Sequence, residues 1–409
     1  MGKRERGEAV VSVAPSRSPK RVAVLGSTGT IGRLALEVIS CFPERFEVVA
    51  LTAGNRWETL AEQAARHRPR RVSLQTAEAS EALRQALGPA ARGIAIDSGA
   101  EGNLRAVTGE EEPEIVVNAL VGAAGLLPSV ATLERGARLA LANKESLVVA
   151  GELLARASEA GGGSIVPIDS EHSGLWQCLE GRDRAAVRRV VLTASGGPFR
   201  ALPLERIENA SPEEALRHPT WRMGRRITID SATLLNKGFE VLEAHWLFRL
   251  PVERIGVWIH PQSLVHALVE WADGSTLAQL STADMRLPIQ AALLHPERVP
   301  GPVAPCDLAA RGPLEFHEVD EARYPCFPLA KEALARGGTA PAVLNAADEV
   351  LVEEFLAGRI SFGSIARLLR AVVEEHEPAS AARIEAIVAA DAWARLRARE
   401  LAERAPRRA

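Results

Sequence analysis

Cysteine is scarce and scattered: Cys41, Cys178, Cys306 and Cys326 show neither CxxC nor finger-like spacing, which excludes a disulfide framework and a thiolate zinc site. A reducing, cytoplasmic setting is the expectation. Long apolar runs are missing too, because Gly, Pro and charged residues interrupt every stretch before the ~20 residues that a bilayer span needs. No membrane is expected. An excess of one charge is also absent, since 49 basic and 52 acidic side chains leave a net charge of -3, which gives no reason to expect nucleic acid as a partner. Residues 1–19 mix Lys3, Arg4 and Arg6 with Glu5 and Glu8 and have no apolar segment, so they read as a loose tail and not a secretory signal. What remains is ordinary for a soluble globular protein, 47% hydrophobic and 25% charged, and 409 residues suggest two or three domains.

The pattern begins with Arg21-Val22-Ala23-Val24-Leu25, a short buried strand, then Gly26-Ser27-Thr28-Gly29-Thr30-Ile31-Gly32, then apolar residues at helical spacing through Ile39. Strand, glycine turn and helix in that order form a dinucleotide-binding opening, although the spacing is GxxGxxG and not GxGxxG. A second strand, Phe46 to Leu51, ends in Gly54-Asn55-Arg56, where an NAD site would usually place an acid. Asn55 and Arg56 suit the 2′-phosphate of NADP instead. Strand-like runs at 71–74, 94–96, 115–120 and 138–142 alternate with helical stretches, the signature of a Rossmann-like, doubly wound parallel sheet. Asn143-Lys144-Glu145 follows the last run, at the carboxyl end where such sheets bind ligands.

Two acidic stretches come next. Asp169-Ser170-Glu171-His172 follows Ile165-Val166-Pro167-Ile168, and in extended form Asp169 and Glu171 would share a face. Leu234, Leu235, Val241, Leu242 and Trp246 recur at helical spacing, placing Asn236 and Lys237 beside Glu240. If the fold unites the stretches, three carboxylates ~4 Å apart repel by roughly 4 kcal/mol per pair at an effective dielectric of 20. A divalent cation relieves that, and all-oxygen ligands favour magnesium or manganese. Further on, Ser195-Gly196-Gly197 reads equally as a phosphate-binding nest and as a plain strand-ending turn. No GxSxG elbow surrounds Ser195, so a hydrolase with His218 is discounted. His218 to Gly224, with Trp221, has the composition of a mobile lid. Val257–Leu268 and Trp271–Leu280 read as a hairpin around Asp273-Gly274. Prolines mark 295–328 as a linker, and a helical domain follows, whose Asn345, Asp348 and Glu349 could be ligands, although helix-surface polars are far commoner. The expected organisation is an α/β protein: a dinucleotide domain over 20–168, a central α+β catalytic domain over 169–294, and a C-terminal helical domain over 329–409.

These motifs, with His260-Pro-Gln-Ser263, Asp284-Met-Arg-Leu-Pro288 and Gly337 to Asn345, resemble the 1-deoxy-D-xylulose 5-phosphate reductoisomerase family from about Lys20 to the last helices. The resemblance implies NADPH as cofactor, a magnesium, manganese or cobalt ion on Asp169, Glu171 and Glu240, and a homodimer. It further implies that Ser195, Ser231, Asn236 and Lys237 hold the substrate phosphate, that Lys144, Ser170 and His218 contact the sugar backbone, and that Trp221 covers it. Thr28, Gly29, Thr30, Ile31, Gly54, Asn143, Glu145 and Gly224 would touch NADPH. The implied chemistry is a retro-aldol/aldol rearrangement followed by hydride transfer, giving 2-C-methyl-D-erythritol 4-phosphate. Three positions depart from the family pattern without removing a ligand: the order Gly54-Asn55-Arg56, Ser173-Gly174 after the histidine, and Asp348 in place of a second asparagine.

Overall fold

The computed structural model describes residues 18–220 and 223–405, so most of the expected N-terminal tail, with Trp221 and Arg222, lies outside the described residues. Apolar, β-branched runs form seven strands: β1 (Lys20–Leu25), β2 (Phe46–Thr52), β3 (Arg71–Leu74), β4 (Ala95–Ser98), β5 (Ile115–Asn118), β6 (Arg138–Leu141) and β7 (Ser164–Pro167). All pair in parallel in the order β4-β3-β2-β1-β5-β6-β7. The strand order reverses between β1 and β5, and a crevice at the carboxyl ends follows from that reversal. The glycine turn sits there. Gly26 has φ +75°, and a Cβ on it would lie 2.5 Å from the Ala119 carbonyl oxygen; one on Gly32 would lie 2.3 Å from the Gly26 carbonyl oxygen. Glycine is therefore required for the turn and for seating the helix Thr30–Ser40 against it.

A second, five-stranded sheet comprises β8 (Val187–Ala194), β9 (Ile255–Ile259), β10 (Val265–Trp271), β11 (Thr276–Leu280) and β12 (His317–Glu318), ordered β11-β10-β8-β9-β12. Only β8 and β9 are parallel. The hairpin turn at Asp273-Gly274 forms as expected, but Val257–Leu268 is not one strand. The chain leaves the sheet after Ile259 and re-enters at Val265, with Ser263 at φ +50° between them. β12 comes from the proline-rich stretch expected to be a linker, and it completes the sheet edge beside β9.

Packing joins the parts. One core runs from one face of the parallel sheet (Leu25, Leu139) through the helices Lys144–Gly161 and Leu235–Phe248 to the C-terminal helices (Ala330, Val343, Leu369, Ala398). The opposite face is covered partly by Ile289, Ala292 and Leu293 of the helix Arg286–Leu294. Close approach sets one junction: Gly151 lies so near Trp246 that a Cβ there would meet the indole at 2.1 Å.

Candidate functional site

Fifteen of the residues expected to hold metal, substrate or cofactor line one cavity of about 550 Å³ at the carboxyl ends of β1, β5, β6, β7 and β8. They are Gly29, Thr30, Ile31, Lys144, Glu145, Asp169, Ser170, Glu171, Ser195, His218, Gly224, Ser231, Asn236, Lys237 and Glu240. Thr28 and Asn143 are buried next to it. Gly54, Asn55 and Arg56 are exposed after β2 and do not line the cavity.

The acids converge by a route different from the expected one. Asp169 is not in an extended run with Glu171; it precedes the helix Ser170–Leu179, and Glu171 lies in that helix's first turn. The apolar stretch suggested a continuing strand, but the hydrogen-bonded helix begins at Ser170, and Ser173 N–H already donates to the Asp169 carbonyl. Glu240 comes from the facing helix, Leu235–Phe248. His172 ties the two helices, its Nε2 donating to the Glu240 carbonyl at 2.8 Å. As a result, carboxylate oxygens of Asp169, Glu171 and Glu240 lie within 4.8 Å of one another.

Two ammonium groups sit among these acids. Lys144 Nζ donates to Asp169 Oδ2 at 3.1 Å and to Asn236 Oδ1 at 2.6 Å. Lys237 Nζ donates to Glu171 Oε1 at 2.7 Å and to Glu240. Three acids still outnumber two cations. Burial and repulsion from Glu171 push the Glu240 carboxyl up to about 8, against the pull of Lys237. Burial would also raise Asp169, yet Lys144, His172 and Lys237 hold it well below the usual carboxylate range. An uncompensated, all-oxygen acid set of this kind fits a hard dication. Asp169, His172 and Glu243 form a second close group, in which burial pushes Glu243 up to about 7.

The phosphate-nest expectation rests on a loop with positive φ at Gly196 (+82°) and Gly197 (+64°). Ser195 Oγ accepts from Gly197 N–H at 3.2 Å and lies 3.0 Å from His218 Nε2. His218 Nδ1 accepts from Thr220 N–H, so Nε2 carries the proton and donates to Ser195. A hydrolytic relay needs the opposite tautomer. Between the helices Arg225–Ala232 and Leu235–Phe248, buried Leu234 adopts φ +60°, ψ +10°, a conformation costing roughly 1–2 kcal/mol for a side chain with Cβ.

Some site residues were not found from sequence. Tyr324, the chain's one tyrosine, donates to the Gly196 carbonyl at 2.8 Å, and Arg200 donates to the Ser195 carbonyl at 2.9 Å. Buried His266 lines the cavity, where burial holds its imidazole below the usual range. No motif marks these three: the Tyr324 partner lies far away in sequence, and Arg200 and His266 stand in no spacing that signals a site. Asn345, Asp348 and Glu349 are not surface polars: all three contact Arg226, and Asp348 is fully buried.

A doubly wound sheet whose switch point opens beside a cation-suited acid cluster defines a dinucleotide-binding α/β protein with a metal-type centre. Residues 22–151 match the family described as 1-deoxy-D-xylulose 5-phosphate reductoisomerase, and 165–248 and 280–397 match its two C-terminal domain descriptions. The chain is 52% identical over 390 residues to the 1-deoxy-D-xylulose 5-phosphate reductoisomerase of Thermomicrobium roseum, covering 95% of this chain and 99% of that one. It is 51% identical over 383 residues to that of Symbiobacterium thermophilum, covering 93% and 98%. The fold superimposes on the Zymomonas mobilis enzyme in complex with NADPH with a TM-score of 0.89, at 38% identity over 94% of this chain and 100% of that one. A reductoisomerase structure with NADPH, fosmidomycin and magnesium gives the same TM-score and identity, over 94% and 98%. The chain belongs to the 1-deoxy-D-xylulose 5-phosphate reductoisomerase family.

Proposed function

We propose that this chain converts 1-deoxy-D-xylulose 5-phosphate and NADPH to 2-C-methyl-D-erythritol 4-phosphate, an isoprenoid precursor, with a divalent cation as Lewis acid. The observation that carries this is the meeting of Asp169, Glu171 and Glu240 in the cavity that also holds the Gly29–Ile31 turn. When bound, the cation polarises the substrate's hydroxyl and carbonyl oxygens during the rearrangement, and NADPH supplies the hydride.

The protein's own groups do the rest. Asp169, Glu171 and Glu240 hold the cation, and Lys144 keeps Asp169 ionised for that task. Ser195, Ser231, Asn236 and Lys237 hold the phosphate, with the Ser195 proton free to donate because His218 Nε2–H points at its oxygen. Anchoring a group remote from the reacting carbons uses binding energy to fix orientation through two chemical steps. Lys144, Ser170 and His218 contact the sugar backbone. Thr28 to Ile31, Gly54, Asn55, Arg56, Asn143, Glu145 and Gly224 contact the cofactor, with the Asn55-Arg56 pair on the side of its 2′-phosphate. The helix Thr30–Ser40 begins at Gly29 without a side-chain cap, which leaves its amide end to a pyrophosphate.

The reading includes a cytoplasmic homodimer; among the described residues no helix is long and apolar enough to cross a membrane. Mass-spectrometric identification of the product from deoxyxylulose phosphate, NADPH and magnesium tests the activity. A product with an unrearranged carbon skeleton, or turnover indifferent to EDTA, overturns it. Sedimentation equilibrium tests the dimer.

A further inference from the structure

Arg226 collects acceptors from separate parts of the chain. Its guanidinium donates to Glu349 Oε1 at 2.7 Å, to Asn345 Oδ1 at 2.9 Å and to Asp348 Oδ2 at 3.4 Å, all on the C-terminal helix Ala340–Leu356. It also reaches Glu145 Oε1, at 3.4 Å, just past β6. Each end of this contact is braced. Arg395 of the last helix holds Glu349 Oε2 at 2.5 Å. Asn143 donates to Glu145 Oε2 at 2.9 Å and to the carbonyls of Leu120 and Gly122 at 3.0 Å each. The relay thus runs from the C-terminal helices through Arg226 to the loop after β5, whose Leu120 and Val121 line the switch-point crevice.

Charge gives the relay a purpose. Glu145 lies in the same cavity as the glycine turn, where a dinucleotide brings a pyrophosphate, and an unpaired carboxylate there would repel that anion. We propose that Arg226 is a positioning residue for NADPH: it pairs with Glu145 as well as with Asp230, Asp348 and Glu349, and ties the loop after β5 to the C-terminal helices, so that the cofactor meets a fixed wall whose carboxylate faces a cation. Burial works against the guanidinium's charge, but Asp230, Asp348 and Glu349 hold it firmly protonated. This inference rests on the NADPH reading above.

The test is fluorescence titration of NADPH into the full-length chain, without substrate, for wild type, Arg226→Met, Arg226→Lys and Glu349→Gln. Glu349 does not line the cavity, so it can act on the cofactor only through the relay. Arg226→Met should raise the NADPH Kd on the order of tenfold, Glu349→Gln about threefold, and Arg226→Lys should recover most of the loss because the charge beside Glu145 is kept. At saturating NADPH, kcat should stay within about threefold of wild type and the magnesium half-saturation should not move. An NADPH Kd within twofold of wild type in Arg226→Met and Glu349→Gln overturns the proposal, as does a loss of kcat or magnesium affinity as large as the change in Kd. Should Arg226→Met fail to fold, Glu349→Gln decides. Failure of wild type itself to bind NADPH would instead refute the functional reading.

Discussion

Glu240 is held between opposing forces: burial and Glu171 oppose its charge, and Lys237 with Asn236 supports it. Glu240→Gln keeps the shape and removes the anion that a cation needs. The expected outcome is a fall in kcat/KM of at least about 100-fold and a raised magnesium requirement, read from NADPH oxidation across a magnesium series. A loss under tenfold would remove Glu240 from the proposed metal site. Arg56, exposed after β2, should matter to one cofactor only: Arg56→Ala is expected to raise the KM for NADPH about tenfold and leave that for NADH nearly unchanged. Equal effects on both would end that assignment. At this scale the sequence was informative wherever chemistry is local. Asn236, Lys237 and Glu240 share one helix face because helical spacing puts them there. Arg226 and Tyr324 were invisible, because Glu349, the nearest acceptor of the one, and Gly196, the acceptor of the other, lie more than a hundred residues away.

Among elements, positions depend on close approaches that leave no room for substitution. Gly151→Ala would push a methyl group into Trp246 and move the helix that carries Glu240. A stability loss of about 1–3 kcal/mol is expected, with a matching drop in magnesium affinity. Unchanged thermal unfolding would mean that the two helices yield easily. The nest loop offers a pH test. Burial pushes the Tyr324 phenol up to about 12, so the folded chain holds that proton more tightly than the unfolded chain, whose tyrosine titrates near 10. Its contribution is complete below about pH 10 and falls by about 3 kcal/mol as pH rises through 12. Tyr324→Phe should therefore flatten the alkaline fall in Tm between pH 10 and 12; an identical fall would show that the phenol does not matter there. Element boundaries misled where an apolar run concealed a change of direction. Ile165–Ile168 runs up to a helix that begins at Ser170, and the His260–Ser263 loop divides what read as one long strand. Hydrophobicity alone does not record where a chain leaves a sheet.

For the whole molecule, the sequence suggested two or three domains, and one apolar core contains residues of the parallel sheet, the Glu240 helix and the C-terminal helices together. Sequence could not reveal this, because an Ala- and Leu-rich helix shows which face is apolar without naming what covers it. Differential scanning calorimetry should show one unfolding transition with equal calorimetric and van't Hoff enthalpies. Two resolved transitions would mean that the helical end melts on its own. The shared core also limits what can be cut away. A chain stopped before Phe327 would lose the C-terminal part of the core that includes Leu235, Phe239 and Leu242 and leave apolar surface open to water. The fragment would then be a sticky particle prone to clumping, and no miniature of the whole.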